Sequence, residues 1–240
     1  MTKEIETLKK WVDESKNIVF FGGAGVSTES GIPDFRSVDG LYKQKYKYPP
    51  ETIVSHSFLM GRPEEFFEFY KEKMVSPARK AAPNAAHKKL AEWEKEGKLK
   101  AVITQNIDGL HQEAGSREVL ELHGTVLKNY CENCGKNYDA EYVLKAEGIP
   151  KCDCGGRVRP DVVLYEEGLD MTVMEKAIKY IQNADILIVG GTSLVVYPAA
   201  GLIRYYRGDK LVLINLSETD QDRFADLIIH EKIGEVFSSL

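Results

Sequence analysis

The chain has 240 residues, of which 43% are apolar and 29% are charged, and its formal net charge is -5. This length and composition suit one sizeable core with a small satellite domain. The acidic balance argues against sequence-specific or general nucleic-acid binding, which needs a basic face, and fits a lysine-bearing peptide better. Since no apolar run is long enough to span a bilayer, we expect a cytoplasmic protein without a membrane partner.

A helix and a strand lead into a glycine-rich turn. Apolar residues recur at helical spacing over 3–15, and IVFF at 18–21 is typical of a buried parallel strand. GGAGVSTESGIPDFRS follows at 22–37. Glycines directly after a strand let the backbone approach a phosphate, so Gly23 and Gly25 indicate a nucleotide loop. The alternative is a tight turn without a ligand.

The GxGxxG fingerprint of dehydrogenases is incomplete in this turn. Thr28 stands where the third glycine belongs, and no acidic residue ends a second strand roughly 20 residues on. A hydride-transfer enzyme is therefore disfavoured. Asp34, Phe35 and Arg36 instead place an acid, an aromatic face and a guanidinium near the loop, which suits gripping a dinucleotide and shielding a reacting sugar.

The next segment is irregular and rich in aromatic residues and lysine. It extends from 38 to 83, which is too long for a βα loop, and predicts an inserted helical module in which Pro63 opens a helix. Asn84 is then expected to cap a helix that ends near Glu96.

Polar residues follow the ends of two predicted strands. Gln105, Asn106 and Asp108 come after AVIT, and His123 comes after VLEL at 119–122. Ligands of open α/β sheets bind at the carboxyl ends of the strands. The cluster is therefore a candidate binding site, and His123 is a candidate general base, although a lone histidine is more often structural.

The C-terminal part alternates strands and helices. The TVME sequence at 172–175 predicts a capping box, and DILIVGG and LVLIN predict two buried strands. Thr192 and Ser193 follow the first of these strands, Pro198 suits a helix start, and Asn215 ends the second strand with an amide suited to ribose hydroxyls. The alternation predicts an α/β fold with a doubly wound parallel sheet.

Four cysteines form two pairs. Cys131 and Cys134 lie in CENCG, and Cys152 and Cys154 lie in CDCGG. Paired thiols at this spacing predict a structural zinc site with four thiolate ligands, and the CxC half departs from the usual CxxC. A nucleic-acid zinc ribbon is the competing interpretation. The residues at 160–165 then predict an edge strand that a peptide can extend, or that a loop covers.

Taken together, the motifs GAGVSTESGIPDFR, TQNIDGLH, ELHG, the two cysteine pairs, RPDVVLYEE, GGTSLVVYPAA and LVLIN occur in the order seen in sirtuins. The chain closely resembles a compact bacterial member of this family of NAD-dependent protein lysine deacylases. The resemblance implies a Rossmann-like domain of residues 1–44, 77–126 and 166–240. A helical insertion (45–76) and a zinc ribbon (127–165) would form the small domain, with NAD and an acyl-lysine peptide between the two domains.

The resemblance also implies roles for individual residues. His123 would be the general base, with Asn106 and Asp108 beside it in the catalytic site. NAD would contact Gly23, Ala24, Gly25, Thr28, Phe35, Arg36, Gln105, Ile107, Asp108, Thr192, Ser193, Asn215 and Ile233. Val163 and Tyr165 would pair with the peptide backbone as an added strand and flank the acyl-lysine.

The implied activity consumes NAD as a co-substrate and yields nicotinamide, O-acetyl-ADP-ribose and free lysine. Tyr70 is followed three residues later by Lys73, where sirtuins that prefer succinyl groups carry arginine, so we expect neutral acyl groups, acetyl first. The alternatives are a deacylase preferring succinyl or longer chains, a mono-ADP-ribosyltransferase, a dehydrogenase, and a zinc-ribbon interaction module without chemistry.

Overall fold

The computed structural model describes residues 2–35, 40 and 46–240. Nine strands are formed within these ranges: β1 (Ile18–Gly22), β2 (Leu99–Thr104), β3 (Val119–Glu121), β4 (Gly124–Cys131), β5 (Asn137–Asp139), β6 (Val158–Val162), β7 (Ile186–Gly190), β8 (Leu211–Ile214) and β9 (Leu227–Ile229). The α-helices there are α1 (Lys3–Glu14), α2 (Pro50–Ile53), α3 (His56–Gly61), α4 (Pro63–Tyr70), α5 (Ser76–Lys80), α6 (Ala85–Lys95), α7 (Leu110–Glu113), α8 (Ala140–Lys145), α9 (Met171–Gln182) and α10 (Ile233–Ser238). No helix in these ranges is long and apolar enough to cross a bilayer.

Six strands form a parallel sheet in the order β3-β2-β1-β7-β8-β9. All five residues of β1 are buried, because this strand lies at the centre and both of its faces are covered. Phe20 belongs to a core with residues of α1, α6 and α10, whereas Phe21 belongs to a core with residues of α9. The predicted doubly wound sheet is confirmed. The strand order reverses between β1 and β7, and such a reversal opens a crevice at the carboxyl ends of the two strands.

The helix caps predicted from the sequence are correct for α6 and wrong for α9. Asn84 caps α6 as predicted, since its side chain accepts hydrogen bonds from the N–H groups of Ala86 (2.9 Å) and His87 (3.4 Å). The predicted capping box at Thr172 is wrong. Asp170 is the cap of α9 and accepts from the Thr172 N–H at 2.7 Å, so the helix begins one residue before Thr172. The carboxylate two residues earlier is the better N-cap acceptor.

A second, three-stranded antiparallel sheet has the order β5-β4-β6. Helices α2 to α5 and α8 pack against it around a separate core that includes Phe66, Tyr70 and Val126. The predicted strand at 160–165 is shifted, because β6 ends at Val162 and contains Pro160 in its interior. Proline is tolerated there since β6 is an edge strand and β4 is irregular opposite it, between Thr125 and Asn129.

The two sheets are joined by a short crossing between β3 and β4. Only Leu122 and His123 separate the last residue of β3 from Gly124, the first residue of β4. Gly124 has φ +72°, and a Cβ atom there would collide with the carbonyl oxygen of Asp161 on β6. Glycine is therefore required for β4 to begin immediately after His123.

Candidate active site

The glycine-rich turn after β1 packs against the loop after β7. The turn contains two 3₁₀ turns, Ala24–Val26 and Thr28–Ser30. The Gly25 N–H donates to the Gly191 carbonyl oxygen at 2.8 Å, and a Cβ on Gly25 would lie 2.7 Å from the Cα of Gly191. A Cβ on Gly23 would lie 2.7 Å from the Thr192 Cβ. Close packing of the two loops is thus one physical reason for these glycines, and their contact with a ligand stays a prediction.

A buried polar cluster joins this turn to the end of β2. The Ser27 hydroxyl donates to Asp108 Oδ2 at 2.7 Å, and the Asn106 side-chain amide donates to Ser27 Oγ at 3.1 Å. Burial raises the pKa of Asp108, whereas hydrogen bonds from the Leu110 N–H and the Ser27 hydroxyl oppose the rise. Sequence reasoning missed Ser27, because serine is common in turns and nothing in its spacing distinguishes it.

Residues after three different strands form a second hydrogen-bonded chain. The Thr192 hydroxyl donates to Gln105 Oε1 at 2.9 Å, and the Thr192 N–H donates to Asn215 Oδ1 at 2.9 Å. The Asn215 side-chain nitrogen is buried and has no partner among the described residues. An unpaired buried donor is costly, so a ligand oxygen at this position would relieve the penalty.

His123 lies at the crossing between the sheets, and its side chain is partly buried. Its Nδ1 is 3.0 Å from the Gln105 carbonyl oxygen. Because a carbonyl only accepts, Nδ1 must carry the proton, which leaves Nε2 with a free lone pair in the neutral ring. Burial lowers the pKa of His123, whereas the hydrogen bond to Gln105 opposes this effect. The ring can therefore be neutral at neutral pH and accept a proton at Nε2.

The segment 163–165 follows β6 and forms main-chain hydrogen bonds at both of its ends. The Val163 N–H donates to the His123 carbonyl oxygen at 2.9 Å. The Tyr165 N–H donates to the Val54 carbonyl oxygen at 3.1 Å, and the Tyr165 carbonyl accepts from the His56 N–H at 3.0 Å. One side of this segment is thus already paired with residues 54–56.

An ion pair under the same segment adds rigidity. Arg159 donates to both carboxylate oxygens of Glu167, at 2.8 and 3.0 Å, and the Leu164 N–H donates to Glu167 Oε2 at 2.9 Å. His56 Nδ1 is 2.8 Å from Glu167 Oε1. Burial by itself would raise the pKa of Glu167, but the hydrogen bonds, chiefly from Arg159, hold it at about 2.

The remaining predicted residues occupy different environments. Arg36 lies outside the described residues. Ala24 and Phe35 are partly buried, Ser193 and Thr28 are exposed, and Thr28 donates its hydroxyl hydrogen to the Gly25 carbonyl at 2.9 Å. Ile107 packs against the core of the small sheet. Ile233 is buried in the core of the large sheet, so any contact with a ligand would come from its main chain.

The four cysteines converge as predicted. Their Sγ atoms all lie within 4.8 Å of one another, and Cys131 and Cys154 approach to 3.5 Å and Cys134 and Cys152 to 3.6 Å. Thiolates bound tetrahedrally to zinc at about 2.3 Å are separated by about 3.8 Å. The donor set and spacing fit one zinc ion, and the CxC half closes the site as well as the CxxC half. With four thiolate ligands such a zinc keeps no open position, and its role is structural.

Comparisons with known proteins agree with this arrangement. Residues 23–198 match the family model described as "Sir2 family". A protein of Clostridium acetobutylicum named "NAD-dependent protein deacetylase" is 62% identical, covering 99% of this chain and 98% of the relative. One of Clostridium perfringens with the same name is 59% identical, covering 100% and 99%.

Solved structures are similar along the whole length. A Sir2 variant with a deacetylated p53 peptide and 3'-O-acetyl-ADP-ribose superposes with a TM-score of 0.89 at 42% identity, covering 98% of this chain and 96% of that one. A Sir2 complex with a p53 peptide and NAD superposes with a TM-score of 0.87 at 41% identity, covering 100% and 97%.

Proposed function

The chain belongs to the Sir2 family and is an NAD-dependent protein deacetylase, and we propose that His123 is its general base and that the crevice around it is the reaction site. The observation that carries this proposal is the orientation of His123. Its Nδ1 is committed to the Gln105 carbonyl, so the lone pair on Nε2 is available at the crossing between the two sheets. No other described histidine lies at that crossing.

The reaction transfers the acetyl group from lysine to the ADP-ribose part of NAD. The amide oxygen of acetyl-lysine attacks the first carbon of the nicotinamide ribose, and the bond to nicotinamide breaks. His123 then removes a proton, through the ribose hydroxyls, so that the 2'-hydroxyl can attack the imidate carbon. Water completes the breakdown to free lysine and O-acetyl-ADP-ribose. The cationic sugar must be kept from water until then, a task that suits the aromatic ring of Phe35.

We place NAD along the crevice, beside the two hydrogen-bonded groups described above. Asn106 and Asp108, ordered by Ser27, would face the nicotinamide ribose, and the free amide nitrogen of Asn215 would face the adenosine half. Thr192 and Gln105 connect the two ends. Support comes from their common position, since these residues follow the carboxyl ends of β1, β2, β7 and β8, on both sides of the switch in strand order between β1 and β7.

We place the acetylated peptide beside segment 163–165, as an added strand. Tyr165 is 38% exposed, and the N–H groups of Val163, Leu164 and Tyr165 already donate to His123, Glu167 and Val54, so the segment would offer a peptide carbonyl oxygens and not N–H groups. The separate cores of the two sheets support a division into two domains, which we propose as a Rossmann-like domain (1–44, 77–126, 166–240) and a small domain (45–76, 127–165), although Ala78 and Val126 pack in the core of the small sheet. Four zinc-bound thiolates suit a reducing compartment, so we place the protein in the cytoplasm.

The test is to identify the products formed from NAD and an acetyl-lysine peptide. Mass spectrometry should detect O-acetyl-ADP-ribose, nicotinamide and the free-lysine peptide in equal amounts. A dehydrogenase would yield NADH, a mono-ADP-ribosyltransferase would yield modified protein without deacetylation, and an interaction module would leave NAD intact. The assignment of His123 would be wrong if His123→Ala formed O-acetyl-ADP-ribose at the wild-type rate.

A further inference from the structure

The segment that leads into α10 passes the ends of two central strands. It consists of residues 230–234 and follows β9, and we call it the C-terminal rim. Its His230 Nδ1 donates to the Asn215 carbonyl oxygen at 3.1 Å, since a carbonyl only accepts. The Ile233 side chain lies against Gly190, the last residue of β7, where a Cβ atom would collide with Ile233 Cδ1. The C-terminal rim therefore contacts residues at the carboxyl ends of β7 and β8, including Asn215 with its unpartnered side-chain nitrogen.

One side chain of the glycine-rich turn contacts the C-terminal rim. Glu29 lies in the second 3₁₀ turn after β1, and its Oε2 accepts a hydrogen bond from the Gly234 N–H at 2.7 Å, although the two residues are 205 positions apart. The first N–H groups of a helix have no partner within the helix, so this carboxylate satisfies one of those of α10. Glu29 thus links the turn after β1 to the first turn of α10.

The absence of a side chain at Gly234 is explained by the same contact. A Cβ atom there would lie 2.6 Å from Glu29 Oε2 and 2.7 Å from Glu29 Oε1, which is closer than real Cβ atoms approach other atoms. Gly234 does not have a positive φ, and glycine at a helical position weakens the helix. The close approach of the Glu29 carboxylate is therefore the physical reason for glycine at this position.

The charge of Glu29 and its hydrogen bond predict opposite effects on NAD. The pyrophosphate of NAD is negatively charged, so a carboxylate in the turn that is proposed to bind it would weaken binding by repulsion. The hydrogen bond to Gly234 instead directs this carboxylate to α10 and fixes the C-terminal rim beside the crevice. Removing Glu29 would tighten NAD binding if repulsion dominated, and would weaken it if the contact with the rim dominated.

We propose that Glu29 is a positioning residue for NAD, which holds the C-terminal rim against the end of the crevice that receives the adenosine half. The proposal rests on the proposed function and deepens it, because Asn215 assigns the adenosine half to that end. Glu29 acts through the main chain of the rim and does not touch the cofactor. Without this contact, the start of α10 can move away from the turn after β1, and the adenosine half loses one wall of its site.

The experiment compares wild-type protein with Glu29→Gln, Glu29→Ala, Gly234→Ala and the double variant Glu29→Ala/Gly234→Ala. Calorimetric titration measures the Kd of ADP-ribose, which contains the adenosine half and lacks nicotinamide. Steady-state assays measure kcat and the KM values of NAD and of an acetyl-lysine peptide. Glutamine keeps an acceptor for the Gly234 N–H without the charge. Glu235→Ala is the matched control, since it removes an exposed carboxylate from the same turn of α10.

We expect Glu29→Ala to raise the Kd of ADP-ribose and the KM of NAD by about three- to tenfold, as for the loss of one hydrogen bond. Its kcat and its KM for the peptide should stay within about twofold of wild type, because a hydrogen bond of this size acts here on the NAD site alone. Glu29→Gln should retain most of the affinity, and Glu235→Ala should match wild type. Gly234→Ala should also weaken binding of ADP-ribose. The double variant should bind no more weakly than Glu29→Ala, because the carboxylate that the new Cβ would meet is gone.

Three results would overturn the inference alone. These are unchanged or tighter binding of ADP-ribose in Glu29→Ala, losses that add in the double variant, and a loss of peptide affinity equal to the loss of NAD affinity. Wild-type protein that binds no ADP-ribose would overturn the proposed function and the inference with it.

Discussion

Replacing Glu167 by glutamine should destabilise the protein at neutral pH, because this carboxylate is the ionic partner of Arg159. The pKa of Glu167 is held at about 2 instead of its ordinary value of 4.5. A difference of this size corresponds to about 3.4 kcal/mol at 25 °C. The side chain is 20% exposed, so solvent screens part of the interaction, and we expect a loss of about 2 kcal/mol in the free energy of unfolding.

The effect should depend on pH in one direction. A carboxylate with a lowered folded-state pKa contributes its full stabilisation above the unfolded value of about 4.5, and loses it as pH falls toward about 2. The stability difference between wild type and Glu167→Gln should thus be constant from pH 7 to about pH 5.5 and should shrink below about pH 4.5. His56 also contacts Glu167, and repeating the comparison in His56→Asn removes the contribution of that contact.

The assay is urea unfolding at several pH values, followed by far-UV circular dichroism. Glu175→Gln is the matched control, since Glu175 is exposed on α9 and should give no measurable difference at any pH. The reasoning would be refuted if Glu167→Gln were as stable as wild type at pH 7. It would also be refuted if the stability difference did not change between pH 5 and pH 3.5.

His123→Ala should bind NAD but deacetylate about 100- to 10,000-fold more slowly in a steady-state assay. Nicotinamide exchange, measured separately, should be less affected, because the first step needs no base. Metal analysis should find one zinc per chain, and Cys131→Ala should lower the melting temperature of the small domain while the large sheet persists. The enzyme should deacylate an acetyl peptide with a higher kcat/KM than its succinyl counterpart. The ammonium of Lys73 already pairs with Glu72 at 2.7 Å, and lysine lacks the planar guanidinium that binds a carboxylate through two parallel hydrogen bonds. A higher kcat/KM for the succinyl peptide would contradict this. Gly124→Ala should cost more than about 2 kcal/mol in urea unfolding, whereas Gly148→Ala, with φ +60° and open space around it, should cost less.

Strongly patterned segments were predictable from sequence. The apolar run of β1, the cap of α6 at Asn84 and the four-cysteine cluster each have a local physical cause that a short stretch of chain contains. The polar residues after β2 were also expected to lie together, because carboxyl ends of parallel strands meet at one edge of a sheet.

Features that depend on distant contacts were not predictable. The role of Ser27 arises from Asp108, 81 residues away, and the tolerance of Pro160 in β6 arises from the edge position of that strand. The three-residue strand β9 was missed, since so short an apolar run carries no period. Asp170 displaced Thr172 as the cap of α9 because two candidate caps competed within one turn.

The two-residue crossing at His123 has a mechanical consequence. The chain passes there from the large sheet to the small one, and where the chain leaves β6 the Val163 N–H donates to the His123 carbonyl oxygen, so we expect a rotation of one sheet relative to the other to pivot close to this residue. Points near a pivot move least. Segment 163–165 and the end of the small sheet that carries the four cysteines would therefore move most, while the imidazole of His123 keeps its position relative to the residues that follow β2.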